Sequence, residues 1–342
     1  MKLLLIGIDG LRIDLAVPEA MCTHPGFAQP DHPGDPRFAA EPRPDDAPTM
    51  PPATTDPAAP TLARLLAGGA ILPVWMTPPT DSGPGWASLL TGTTHERNNV
   101  WWNEFVGHKL GRTPDILSRI WFADPDARTY AAATWDALTD PAGPGPVIQQ
   151  RIDQQRAGLH RVDTARDFSR GCISADLETI TRACHVLNHD GPDAAIVYVE
   201  GVDEAGHRYG AAAPEYRDAI ATADEHVRYL VKAVAERYEQ LGEEWLIVVT
   251  TDHGHKPEGG HGEDETDVRR SFLLLHRIGP PGTETWARDA VDGLGPLRAE
   301  AVTPLLLELL GVTEGTWRAG HEVGERRDIR TSGPTRDLRY EW

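Results

Sequence analysis

Short, almost wholly apolar runs alternate along this chain with longer segments of helical period. Lys2 to Ile8, Ile71 to Met76, Ala194 to Val199, Trp245 to Thr250 and Ser271 to Leu275 carry few polar side chains. That is the pattern of strands buried on both faces of a parallel sheet. Arg128 to Thr134 reads as a further strand, rich in small residues. Between the strands, Thr61 to Gly68 sets Leu62, Leu65 and Leu66 on one face and stops at Gly68-Gly69. Pro84 to Leu90, Pro114 to Phe122, Ala175 to Asn188 and Val302 to Leu310 also read as helices. Pro214 to Leu241 is a long helix, with Ile220, Val227, Leu230, Val231 and Val234 in register. Strands alternating with helices predict an α/β fold, a central, mostly parallel sheet flanked by helices on both faces.

Two stretches interrupt the pattern. From about 17 to 60 the chain is crowded with Pro, Asp and Ala. Proline removes backbone donors and fixes φ, so the expectation is a long loop insertion without regular elements, part ordered and part mobile. From about 136 to 171 no period is evident, and a small cap is expected there. With no internal repeat, residues 1–342 are expected to form a single domain.

Composition narrows the function classes. The chain has 342 residues, with 52 acidic against 33 basic and a formal net charge of −19. A surface this acidic repels polyanions, so neither a nucleic-acid polymer nor a membrane is an expected partner. A small phosphorylated substrate remains open, because bound dications invert the local field. The three cysteines, Cys22, Cys172 and Cys184, make no disulfide framework. The apolar run at the N-terminus is short and ends at Asp9, which reads as a first core strand rather than a signal peptide. No stretch approaches the ~20 apolar residues of a membrane span. The expected location is therefore cytoplasmic. Oligomeric state has no signature in the sequence.

The chemistry lies in five polar clusters: Gly7-Ile8-Asp9-Gly10, Thr80-Asp81-Ser82-Gly83-Pro84, Asp203-Glu204-Ala205-Gly206-His207, Thr251-Asp252-His253-Gly254 and Gly259-Gly260-His261-Gly262. Asp9, Ser82, Asp203, Asp252 and His253 each follow a predicted strand. They can converge on the edge of the sheet where the strands' carboxyl ends lie. Three carboxylates and three imidazoles suit Zn²⁺, with Mn²⁺ or Fe also compatible, and divide into two three-ligand sites with open positions. Two such divalent ions can clamp the attacking and transferred oxygens of a displacement. Ser82 is the candidate nucleophile, since metal coordination would lower the pKa of its hydroxyl. Alternatively, Ser82 only caps the helix that follows. Gly83 would let the backbone approach a phosphoryl oxygen. His255, Glu258, Glu263 and Asp264 either support the ligands or belong to a solvated acidic loop. Trp86, Trp101 and Trp102 either stack on substrate or pack.

In order and type the clusters resemble the alkaline phosphatase superfamily, most closely its nucleotide pyrophosphatase/phosphodiesterase branch. Gly7 to Asp14 resembles that branch's opening motif, Thr80 to Gly92 its nucleophile segment and Asp203 to Gly210 its Asp-x-x-Gly-His-x-x-Gly. Thr251 to Gly254 and Gly260 to Gly262 resemble the last two motifs. The resemblance implies an alkaline-phosphatase-like sheet and a two-metal phosphohydrolase. One metal would be held by Asp9, Asp252 and His253, and the other by Asp203, His207 and His261. Ser82 would bridge both and form a phosphoserine intermediate. The substrate would be a phosphodiester or phosphomonoester of a small molecule or nucleotide.

Three departures mark the nucleophile segment. Serine replaces the branch's usual threonine, Gly85 stands where an asparagine usually supports a phosphoryl oxygen, and Asn98-Asn99 replace His-Gly. The missing donor is then expected from Asn98, Asn99, Asn103 or Arg12. Ser82-Gly83-Pro84-Gly85-Trp86 also echoes the sulfatase Ser/Cys-x-Pro-x-Arg, but with Trp86 in place of arginine. A sulfatase-like esterase, a phosphomutase and a phosphonate hydrolase are the rival enzymes. A degenerate binding module is the rival outside enzymes.

Overall fold

The protein is described by a computed structural model covering residues 1–312 except 41, 44 and 52–55. Its strands are β1 (Lys2–Ile8), β2 (Ala70–Trp75), β3 (Thr129–Ala133), β4 (His160–Thr164), β5 (Ser169–Gly171), β6 (Ala194–Val199), β7 (Trp245–Thr250), β8 (Arg270–Ile278) and β9 (Leu297–Arg298). Among the described residues, eight strands form one sheet in the order β4-β3-β6-β1-β7-β8-β2-β9. Strand β8 runs antiparallel to both of its neighbours, and the other pairings are parallel. The fold is the expected α/β architecture, a mostly parallel sheet covered on both faces.

Alternation along each strand builds the two layers. Leu4, Ile6 and Ile8 of β1 and Trp245, Ile247 and Val249 of β7 face one core. That core is closed by the helices Pro60–Ala67, Cys172–His189 and Pro214–Leu241. Leu3, Leu5, Leu246 and Val248 face the other core, under the helices Ser82–Thr91, Ile116–Ala123 and Ala299–Leu309. Strands β1, β6 and β7 run side by side in one direction, and β2, antiparallel to β8, runs the same way. Segments leaving the carboxyl ends of β1, β2, β6 and β7 therefore emerge on one edge, and all the polar clusters emerge there.

Two expectations change. The 17–60 stretch does contain regular pieces: short 3-10 helices at Pro18–Cys22, Pro25–Phe27 and Pro36–Phe38. Each begins with its proline, where the missing N–H has no helical partner to lose. Val17, Ala20 and Phe27 are fully buried in the core. The expected mobility of this stretch concerns in part residues 41, 44 and 52–55, which lie outside the described residues. The 136–171 stretch, expected as a small cap, instead extends the main sheet through β4, which pairs with β3. As an edge strand, β4 (His-Arg-Val-Asp-Thr) keeps its middle residues partly solvated, so it lacks an apolar run. Among the described residues no helix is long and apolar enough to cross a membrane.

Candidate active site

Asp9 ends β1 and is buried at 1 % exposure. Its Oδ2 accepts two neutral donors, the Tyr198 hydroxyl at 2.5 Å and the Trp86 indole N–H at 2.9 Å. Its Oδ1 is thereby turned toward Ser82 Oγ at 3.5 Å and His253 Nε2 at 3.3 Å. Gly10, with φ of +67°, makes the turn that follows. A β-carbon there would meet His255 Nε2 at 2.9 Å and the Asp203 Cα at 3.0 Å, so only glycine fits.

At the end of β7, Asp252 and His253 are both fully buried. Asp252 Oδ1 accepts the Gly10 N–H at a long 3.3 Å, and its Oδ2, 3.3 Å from His253 Nε2, has no hydrogen-bond partner among the described residues. His253 and His261 stack with ring centroids 3.7 Å apart. Nδ1 of each lies against a backbone carbonyl, that of Gly254 at 3.1 Å and that of Thr80 at 3.0 Å. Protonated there, both rings present the Nε2 lone pair to the site. The glycine-rich loop that carries His261 turns through positive φ at Gly259, Gly260 and Gly262. It is tied to the nucleophile loop by Gly262 N–H to Thr80 Oγ1 at 3.0 Å.

Asp203 and His207 share the helix Gly201–Tyr209, one turn apart. His207 Nε2 lies 3.5 Å from Asp203 Oδ2 and 3.0 Å from His261 Nε2. His255, expected either to support the ligands or to lie in a solvated acidic loop, joins the cluster itself. Its Nε2 is 2.7 Å from Asp203 Oδ1, while its buried Nδ1 has no partner among the described residues. The signal for it was the spacing Asp252-His253-Gly254-His255, which sends two imidazoles from one turn into one site.

Ser82 is the first residue of its helix and is 7 % exposed. The capping position belongs to Asp81, whose side chain makes no capping bond, so the reading of Ser82 as the cap is corrected. Ser82 Oγ lies 3.3 Å from His253 Nε2.

Electrostatics set this edge apart. Burial, then the charge of Asp203, pushes Asp9 up to about 8. Burial, then Asp9 and Asp203, pushes Asp252 far above the usual carboxylate range. Burial raises Asp203 to about 6. Burial, then neighbouring imidazoles, lowers His253 well below its usual range and His255 and His261 to about 3. Mutually repelling carboxylates beside neutral imidazoles suit a cation. Two sets of donor atoms, each mutually within 4.8 Å, gather here: Asp203, His207, His255 and His261, and Asp9, Asp203 and His253. Asp203 is common to both, and Asp252 adjoins the second through His253. The orphaned oxygen of Asp252 and the imidazole lone pairs fit a divalent metal.

Three expected substrate contacts, Arg12, Gly83 and Asn103, differ. Arg12 is buried and faces away. It pairs with Asp14 at 2.7 Å and Asp267 at 3.1 Å and donates to the His255 carbonyl at 3.1 Å. It braces the loop that carries His255 instead of reaching toward Ser82. Gly83 N–H donates to Asn103 Oδ1 at 2.7 Å, so these two expected contacts are bonded to each other. Asn98 is held by Thr93 and Val100, and Asn99 by Gly107. Gly85 has a steric cause: a β-carbon there would lie 2.9 Å from Asp252 Cβ. Of the tryptophans, Trp86 is buried and bonded to Asp9, whereas Trp102 is exposed.

Comparison with known proteins bears on the family and the fold. The family model described as type I phosphodiesterase / nucleotide pyrophosphatase matches residues 50–270. GPI ethanolamine phosphate transferase 1 of Yarrowia lipolytica is 26 % identical over 215 residues, covering 59 % of this chain and 21 % of that protein. The catalytic subunit of human GPI ethanolamine phosphate transferase 3 is 32 % identical over 130 residues, 33 % of this chain and 11 % of that one. The chain thus spans about a fifth or less of the length of these relatives. Among solved structures, a 2-O GAG sulfatase aligns with TM-score 0.60 and 13 % identity over 94 % of this chain and 73 % of its own. Murine ectonucleotide pyrophosphatase / phosphodiesterase 5 aligns with TM-score 0.55 and 14 % identity over 92 % and 96 %. These structures share the fold. With 221 residues matched by the family model, this chain belongs to the type I phosphodiesterase / nucleotide pyrophosphatase family of the alkaline phosphatase superfamily.

Proposed function

We propose that this protein cleaves phosphate esters of small molecules, with Ser82 as nucleophile and Asp9, Asp203, His207, Asp252, His253 and His261 as ligands of two divalent cations. Zinc is the favoured metal, from the mixed carboxylate and imidazole donors. The observation that carries the reading is the placement of Ser82 Oγ within 3.5 Å of both Asp9 and His253, whose Nε2 lies 3.3 Å from the unpartnered oxygen of Asp252. When bound, the cations would supply the positive charge that makes serine a nucleophile at neutral pH and neutralises the phosphoryl oxygens.

The remaining roles belong to the chain. Ser82 Oγ passes its proton to solvent and forms a bond to phosphorus, while the bond from phosphorus to the alcohol oxygen breaks with its electron pair on that oxygen, which takes up a proton from water. Water then attacks the phosphoserine, releasing phosphate or a monoester and restoring the hydroxyl. Asn103 positions the Gly83 backbone at the helix start, where an anion is favoured. Burial of Asp9 and His253 keeps their side chains from reorienting during the exchange.

A panel of p-nitrophenyl phosphate, bis-p-nitrophenyl phosphate, a phenylphosphonate and a sulfate ester tests the proposal. Turnover of a phosphate ester that is lost in Ser82→Ala supports it. Turnover of only the sulfate ester, or full activity in Ser82→Ala, contradicts it. The phosphonate arm separates the phosphonate hydrolase reading, and inactivity on the whole panel by metal-loaded protein favours the binding module.

A second reading, for the substrate, has its own observation. Asp81 sits at the helix start, where burial and then Glu104 and Glu263 push it up to about 6. With Glu263 paired to Lys256 at 2.8 Å, Asp81 and Glu104 leave the rim acidic, which favours a phosphodiester with a cationic substituent over an anionic nucleotide. The relatives named as ethanolamine phosphate transferases accord with that choice. Faster turnover of p-nitrophenyl phosphocholine than of thymidine 5′-p-nitrophenyl phosphate is the expected result, and the reverse order contradicts it.

A further inference from the structure

Trp86 departs from the sulfatase pattern and is not accounted for by the substrate. It lies one turn after Ser82 on the same helix and is 1 % exposed. Its ring packs so closely on β1 that a β-carbon at Gly7 would come within 2.5 Å of it. Glycine inside a buried central strand is otherwise unfavourable, and it marks a close approach. The ring also meets Tyr198 edge-to-face at 5.2 Å. From this fixed position the indole N–H reaches Asp9 Oδ2 at 2.9 Å, beside the Tyr198 hydroxyl.

We propose that Trp86 is a positioning residue for the metal site, acting through Asp9. The two neutral donors occupy one carboxylate oxygen and leave the other, Oδ1, facing Ser82 and His253. Asp9 is thereby limited to one ligand atom at a set angle. The far side of the carboxylate is filled by aromatic donors, which leaves no opening there for another cation. A carboxylate free to rotate would lose both the angle and the separation from Ser82. Ligating side chains are commonly oriented by such outer hydrogen bonds, and losing one weakens metal affinity or activity ~10–100-fold.

The inference rests on Asp9 as a ligand, so the test reads metal binding directly. Zinc affinity of the full chain is measured by competition with a chromogenic chelator, for wild type, Trp86→Phe and Tyr198→Phe. A further variant replaces Trp86 with benzothienylalanine, which keeps the ring shape and lacks the N–H. The expected result is ~10-fold or greater loss of affinity at one of the sites in Trp86→Phe and in the benzothienyl protein, with unchanged melting of the metal-free forms. kcat should fall while KM stays within about twofold, because the substrate contacts are untouched. Wild-type affinity in the benzothienyl protein overturns the role of the indole N–H. A wild-type chain that binds no zinc at all overturns the site reading instead, so the two failures are distinguishable.

Discussion

Asp115 and Asp252 are both fully buried aspartates, and they differ in everything around them. Asp115 caps the helix Ile116–Ala123. Its Oδ1 accepts the N–H groups of Leu117 and Ser118 at 3.0 and 3.1 Å, and its Oδ2 accepts the Ser118 hydroxyl at 2.7 Å and Gln149 N–H at 3.0 Å. Asp252 has one long bond from Gly10 and an oxygen with no partner among the described residues, and it faces Asp9 and Asp203. The first is a solved packing problem, a charge matched by four donors. The second carries electrostatic strain that a cation would relieve. The contrast distinguishes Asp115, held as part of the structure, from Asp252, the proposed ligand, without reference to any relative.

The largest effect expected at the strained edge is chemical. Ser82→Ala should lower turnover at least ~10³-fold while metal content, read by elemental analysis, stays near wild type. Metal loss in that variant would mean that Ser82 belongs to the structural framework.

The contrast itself is tested next by a pair of substitutions. Asp115→Ala leaves four donors unmatched and should destabilise the protein by ~3 kcal/mol in urea, with metal affinity unchanged. Asp252→Ala should abolish tight binding at one site yet leave the metal-free protein as stable as wild type, or more so. Equal destabilisation of the metal-free forms would erase the distinction.

A smaller effect is the pH dependence of the metal-free form. Asp9 is raised from 3.8 to about 8, so above its ordinary pKa the native state keeps a proton that the unfolded chain has released. Stability should then fall as pH rises toward 8. His255 and His261, lowered from 6.5 to about 3, act oppositely and remove stability as pH falls below 6.5. Thermal melting in chelator should therefore decline from pH 6.5 to 8, and saturating zinc should flatten that decline. A decline that zinc does not alter would place its origin outside the site.

The smallest expected change is at Gly85, whose added β-carbon would press on Asp252 Cβ at 2.9 Å. Gly85→Ala should weaken one metal by about tenfold through displacement of Asp252. Unaltered affinity would show that the two segments can part without harm.

Much of this was legible in the sequence. The buried strands announce themselves as apolar runs, and the clusters that follow them converge because their strands are parallel. Edge elements were not legible: β4 is half-solvated and β9 has only two residues, so neither carries an apolar run. Within the site, the ligand types could be read from the motifs, but side-chain direction could not. Arg12 stands two residues from Gly10, yet it points into a salt bridge. Trp86 is a buried donor to Asp9, and His255 reaches Asp203; both contacts depend on which glycines leave room, at Gly7 and Gly10.

The central claim is that the crowded carboxylates Asp9, Asp203 and Asp252 at the sheet edge, with their histidines, form a two-cation site around Ser82. Native mass spectrometry of zinc-reconstituted protein, wild type against Asp252→Ala, tests it most directly. Two zinc ions per chain in wild type and one in the variant is the predicted result, and a wild-type chain that carries none, or a variant that still carries two, would contradict it.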